Sequence, residues 1–196
     1  MSYPITVPEA LDHLRLPTED VTTPEWLEIE RLIGAATEWT ESYCKRAWMA
    51  GSKTKLFDAF PTTPAIIKCD RFLPLTGGVV STVDSVTYYD TDFVQQTMDP
   101  SGYRLIVTNE VSYLYPGMGQ DWPTDACDEP LHIAVNYTVG EASVADIPAS
   151  VKAAILLLVA SMYENREQGT IDNGLTVIKA PVAAEHLLHP YKLRYC

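Results

Sequence analysis

Four cysteines are all that the 196 residues contain, and Cys44, Cys69, Cys127 and Cys196 stand too far apart to form a CxxC pair. That spacing gives no support to a zinc site or a disulfide framework, and reduced thiols made in a cytosol are the expectation. Positive charge is also scarce: 14 Lys and Arg face 26 Asp and Glu, for a formal net charge of −12. A surface of that sign repels nucleic acid and anionic membranes, so adhesive binding to either is not expected. The longest apolar run, AAILLLVA from Ala153 to Ala160, is far short of the roughly 20 residues that span a bilayer. The opening MSYPITVPEALDHL lacks the basic stretch and apolar run of a secretory signal. No Walker loop, GxGxxG, HExxH or GxSxG occurs, so the common phosphate-binding and hydrolytic signatures are missing.

What remains is ordinary globular composition, 46% hydrophobic and 20% charged, which suits a single domain over 1–196 with a real core. A short helix is expected at about 8–15, with Pro8 in its first turn and Ala10, Leu11 and Leu14 on one face. A longer one is expected at about 24–47. Thr23 reads as its N-cap and Pro24 as its first residue, and Ile29, Leu32, Ile33, Ala36, Thr40, Tyr43 and Ala47 recur at helical spacing. Lys45 and Arg46 suit the last turn and Gly51 the stop. A third helix is expected at about 148–166, where Val151, Ala154, Ile155, Leu158, Val159 and Met162 form one stripe. Leu156, Leu157 and Ala160 fall outside it. A helix apolar on nearly every side needs cover on nearly every side, either from its own domain or from a neighbouring subunit. A last helix, about 181–189, ends at Pro190 and leaves a basic, aromatic tail, 190–196.

Between the second and third helices the texture changes to short β-branched and aromatic runs: Lys53–Phe57, Ala65–Cys69, Thr82–Tyr89, Tyr103–Val107, Ser112–Tyr115 and Leu131–Val139. Breakers such as Pro61, Gly77-Gly78, Asp99-Pro100 and Pro116-Gly117 separate them. VDSVTYY and LHIAVNY alternate between two faces, as strands with one packed side do. The expected class is therefore α+β, a small helical bundle with an antiparallel β insertion at about 53–139.

Candidate chemistry is thin. Asp90 and Asp92 flank a hairpin tip, where solvated turn carboxylates are the ordinary reading against a cation site. His186 and His189 lie three apart on the last helix, with Cys196 downstream. They are read as surface histidines rather than ligands. His132 lies on a strand with no visible partner, and His13 borders the first helix's apolar face. The aromatics are more telling. Trp26, Trp39 and Trp48 lie on or beside the second helix off its stripe, and Trp and Tyr suit interfaces because they bury area while keeping a polar handle. Trp39, Leu156, Leu157 and Ala160 are accordingly the candidate contacts between subunits. No cofactor or metal is expected.

Three stretches carry a family resemblance. PEALDHLRLPTED with LEIERLIGAATEWTESYCKRAW resembles the opening helix pair of the head–tail connector, or adaptor, proteins of long-tailed bacteriophages and gene-transfer particles. DSVTYYDTDFVQQTMDPSGYRL is similar to their strand–turn–strand segment. IPASVKAAILLLVASMYENRE, preceded by LHIAVNYTVG and followed by AAEHLLHPYKLR, is similar to their long central helix and its neighbours. The resemblance implies a structural virion protein, not an enzyme. About twelve copies would stand in a closed ring under the portal protein, meeting a head-closure or tail-completion protein below. At −12 each such a ring would carry a charge on the order of −140, past which DNA would slide without specific binding. It also implies a C-terminal segment that docks on the portal, here Leu187, Leu188, Tyr191, Lys192, Leu193, Arg194 and Tyr195. Such a tail is expected to be mobile unless tied down, so its removal from 190 onward is expected to leave the fold intact. Two other readings stay open: a small glycan- or protein-binding module built on the β insertion, and an Asp-dependent hydrolase.

Overall fold

Two capping boxes start the helical part of this computed structural model, which describes residues 3–18, 21–61, 71–108, 111–165 and 181–193. In the first, the Thr6 N–H donates to the Glu9 carboxylate at 2.6 Å and the Thr6 hydroxyl accepts from the Glu9 N–H at 3.4 Å. The helix that follows, α1, runs Val7–Leu14. It stops at Arg15, whose left-handed φ of 57° turns the chain out of the helix. In the second, both the N–H and the hydroxyl of Thr22 donate to Glu25, at 3.0 and 2.9 Å. Thr22, not Thr23, is therefore the N-cap of α2, Thr23–Cys44, because the acidic partner that completes the box sits three residues beyond Thr22.

Helix α2 also ends earlier than its apolar spacing suggests. Lys45 adopts φ 55° and the chain doubles back, so Trp48 lies beside the last turns of α2. Its N–H donates to Glu41 Oε1 at 2.8 Å and its indole N–H to Thr40 Oγ1 at 3.0 Å. Gly51 does not close the helix; it opens a strand. Two further helices follow the sheet region, α3 over Ala149–Glu164 and α4 over Val182–Leu188.

The chain divides into two compact units, residues 1–49 with 142–192 and residues 50–141 with the end of the chain from Leu193. The first unit packs α2 on α3 and α3 on α4. Its core joins Leu11, Ile29, Ile33, Trp48, Ile155, Leu158 and Leu188, all at most 2% exposed. At about 1.5–3 kcal/mol for each large apolar side chain withdrawn from water, this cluster is the main source of the unit's stability.

Among its described residues the second unit has two antiparallel sheets where the sequence suggests one. The larger has the order β1-β7-β3-β4, with β1 Gly51–Phe57, β3 Val80–Tyr89, β4 Gln95–Thr97 and β7 Ile133–Val139. The smaller has the order β2-β6-β5, with β2 Leu73–Leu75, β5 Tyr103–Val107 and β6 Ser112–Pro116. Strand β7 alternates buried and half-buried residues along its length, as its sequence pattern requires. Ile133, Val135, Tyr137 and Val139 are at most 1% exposed. The Tyr137 hydroxyl donates to the Thr76 carbonyl at 2.9 Å, which satisfies the one polar atom of that face. Strands β2 and β4 are three residues each and too short to show a period, and β2 contains Pro74, tolerated because β2 is a sheet edge. The expected strand Ala65–Cys69 lies outside the described residues.

Candidate assembly surfaces

The Asp90 carboxylate at the β3–β4 turn is structural. Asp90 Oδ1 accepts the backbone N–H groups of Asp92 and Val94 at 3.0 and 2.9 Å, and Oδ2 accepts the Gln96 amide at 2.7 Å. The Gln96 hydrogen bond, followed by those from the Val94 and Asp92 amides, holds the Asp90 carboxyl below its ordinary range. A carboxylate so occupied shapes its own turn, a local Asx-type use of the side chain. It carries Phe93 through φ 60° at the tip.

His13, His186 and His189 are exposed. His132 is buried; its Nδ1 lies 2.5 Å from the Glu129 carbonyl, and its Nε2 has no partner among the described residues. No group of three His, Cys, Asp or Glu able to hold a metal ion occurs among the described residues. Cys44 and Cys127 are buried, and Cys69 and Cys196 lie outside the described residues. Burial pushes the Cys44 thiol up to about 11, against the smaller opposing pull of Arg46 and Lys192, and that thiol points to the Leu188 carbonyl at 3.8 Å.

The C-terminal segment is held down as far as Leu193, contrary to the expectation of a mobile tail. Leu188 is 0% and Leu193 4% exposed. The Tyr191 ring meets Trp48 edge-on at 6.1 Å, and the Ser150 hydroxyl donates to the Tyr191 hydroxyl at 3.0 Å. Lys192 Nζ stands 4.4 Å above the Tyr43 ring. The sequence could not show this. A basic aromatic tail reads as solvent-exposed until the ring faces of Tyr43 and Trp48, set by the turn after α2, are known to lie within its reach. Leu187 is half-buried against the helical core, and Arg194 and Tyr195 lie outside the described residues.

The proposed subunit contacts fall on the same unit. Leu156 and Leu157 are half-buried and pack against the core, and Ala160 is half-buried beside them on α3. Trp39 stacks on Tyr43, ring centroids 5.2 Å apart at 11°, and Tyr43 carries Lys192. Trp39, Tyr43 and Lys192 therefore form one continuous stack, which joins a candidate subunit contact to a candidate portal contact. Trp48, grouped with Trp39 by sequence, is 1% exposed and belongs to the core.

No family model and no curated protein matches the chain. Solved structures do. It is similar to a chain in the neck of an empty GTA particle computed with C6 symmetry, at 20% identity and a TM-score of 0.74 over 98% of this chain and 91% of that one. It is similar to a chain in the virion of a native gene transfer agent particle, at 19% identity and a TM-score of 0.72 over 100% and 94%. A chain in the neck of the native particle computed with C12 symmetry gives 19%, 0.69, 97% and 89%. Helices, sheets and their order thus form one fold that this chain shares, nearly end to end, with chains of a gene-transfer-agent neck.

Proposed function

We propose that the chain is a structural neck protein of a phage-like particle, an adaptor. About twelve copies form a closed ring beneath the portal and extend the DNA channel toward the tail, on the path of genome packaging and ejection. The observation that carries this reading is the near-complete fold match, 97–98% of this chain, to chains from particle necks. The missing hydrolytic and phosphate-binding motifs agree with a role in assembly, as do the half-buried apolar residues of α3. Leu156, Leu157, Ala160 and Trp39 are the proposed contacts between copies. Leu187, Tyr191 and Lys192, with Arg194 and Tyr195, are the proposed portal contacts. Leu188 and Leu193, being buried, position that segment rather than touch the portal. The protein below the ring is a head-closure or tail-completion protein. The full chain mixed with the portal ring of its own particle is expected to give a second ring stacked on the first in negative-stain images. A chain that never co-sediments with the portal overturns the reading.

A further inference from the structure

We propose that the four-stranded sheet continues from copy to copy, with β4 of one copy joining the free edge of β1 of the next. The inference rests on the ring reading above and names where two copies meet.

The argument starts from the unpaired edges. Among the described residues no strand pairs on the outer side of β1 or of β4. Natural sheets blunt such edges with short strands, prolines or guarding charges. β4 is short, but β1 is seven residues long and contains no proline. Of its two lysines, Lys55 is turned away, donating to the Pro74 carbonyl at 2.6 Å.

The backbone groups on the free side of β1 can be identified. Met98 donates to the Val86 carbonyl, whereas Cys127 donates to Tyr89 and Thr91 to Asp125. Residues 86 and 88 of β3 therefore face β4, and 87 and 89 face the other way. Thr87 lies opposite Ala134, so Ile133 and Val135 must face β1, where they meet Phe57 and Lys55. By alternation, Ser52, Thr54 and Leu56 present their N–H and C=O groups outward.

Three features make β4 the fitting partner. The first is direction. Every neighbouring pair in the sheet is antiparallel, so in a four-stranded order β1 and β4 run oppositely, and copies repeated head to tail join as antiparallel strands. Head-to-tail contacts are those that close rings. The second is charge. β1 carries Lys53 and Lys55 and no acid. Although both start from the sheet's packed face, Lys53 beside Gly77 and Lys55 on Pro74, they make this edge positive, whereas from Phe72 to Tyr103 there is no Lys or Arg but Asp84, Asp90, Asp92 and Asp99. The third is apolar surface. Phe57, Ile133, Tyr88 and Gln96 form one row across the sheet. At that end β1 exposes Leu56 (46%), while the β3–β4 hairpin exposes Phe93 (66%) and Val94 (54%).

The test uses the full chain, alone and on its portal, with rings scored by mass photometry and negative stain. Thr54→Pro removes one outward N–H and leaves the β1–β7 ladder intact; it is expected to stay folded by circular dichroism and to lose rings. In the register of the row from Phe57 to Gln96, Lys53 falls beside Asp99 of the next copy. Lys53→Glu and Asp99→Lys are each expected to weaken assembly about tenfold, and the double variant to restore it to within about threefold. Carbodiimide coupling of mixed isotope-labelled and unlabelled copies is expected to join Lys53 to Asp99 between copies. Rings that form undisturbed by Thr54→Pro and by both single charge reversals overturn the edge pairing and leave the ring reading standing. Cross-links from Lys53 only to residues 62–70 of the same copy also overturn it, since the chain then covers its own edge. If Thr54→Pro unfolds, rescue by the charge swap decides. A native chain that forms no ring in either setting removes both readings.

Discussion

The helical unit and the sheet unit treat apolar surface in opposite ways. The helical unit draws on the most hydrophobic stretch of the chain, yet of the large hydrophobics left exposed among the described residues it contributes Leu27 and Val182 alone. The sheet unit has the more alternating, half-polar sequence, yet it exposes Leu56, Tyr89, Phe93, Val94, Ile106, Val107, Met118 and Leu131. A helix bundle can turn apolar stripes toward one another until little is left over. A sheet buries one face and still ends in open edges and hairpin tips, where side chains have nothing of their own chain to meet. Unmet apolar surface is therefore concentrated in the sheet unit, although that unit also buries a core of its own, with Leu75, Leu114, Ile133 and Val135 at 0% exposure.

The largest test of that contrast is Trp48→Ala. It empties a 1% exposed site and removes the indole donor to the Thr40 hydroxyl, which keeps its own bond to the Thr37 carbonyl, with an expected cost of about 3–5 kcal/mol in urea denaturation of the full chain. Phe93→Ser, an exposed aromatic of the sheet unit, is expected to stay within about 0.5 kcal/mol. Equal costs would break the contrast.

Deletion of residues 190–196 comes next. It removes the Tyr191 contacts and buried Leu193 and is expected to cost about 1–3 kcal/mol, so loss of portal binding by that variant would be ambiguous. Deletion of 194–196 alone is expected to leave the melting temperature unchanged and still weaken portal pull-down.

Leu157→Glu is expected to stay folded, at a cost near 1 kcal/mol, and to block ring formation in mass photometry, because Leu157 is half-buried. Unfolding would assign Leu157 to the core.

The smallest effect is expected at the first capping box. The Thr6 amide and hydroxyl lower the Glu9 carboxyl below its ordinary value. A carboxylate lowered in the folded state adds stability that is present above its unfolded pKa and lost as pH falls through the folded one. Thr6→Ala is expected to cost about 1 kcal/mol or less near neutrality, and to flatten only in part the fall in thermal stability as pH drops from about 5 to 3, because the Thr6 backbone N–H, the larger cause, remains.

Much of the fold was legible along the chain. The spacing of Ile29, Ile33 and Ala36 marks α2, and the alternation in LHIAVNY marks β7. What was illegible has physical reasons. Strand β2 contains a proline and strand β4 has three residues, so neither has a period to read. The end of α2 depends on Lys45 entering a left-handed conformation and on Trp48 folding back to Thr40, a tertiary contact that overrides the helical spacing of Ala47. Of the candidate contacts, Leu156, Leu157 and Trp39 were legible as apolar residues off their stripes. That Tyr43 links Trp39 to Lys192 was not, because a stack across 149 residues of sequence, from 43 to 192, has no local signature.

The sequence by itself determined the class and order of the elements, because helical and strand periods are local properties of which side chains recur every three to four or every two positions. It also determined the acidic balance and the absence of recognisable catalytic motifs. Only the tertiary structure decided which of the three off-stripe tryptophans is core, that the C-terminal segment is latched through Tyr191 and Lys192, and that the described part of the insertion is two sheets with β1 and β4 as the larger one's outer strands. Each of those depends on pairing between residues far apart in the chain, where loop closure and packing, rather than local preference, choose among partners.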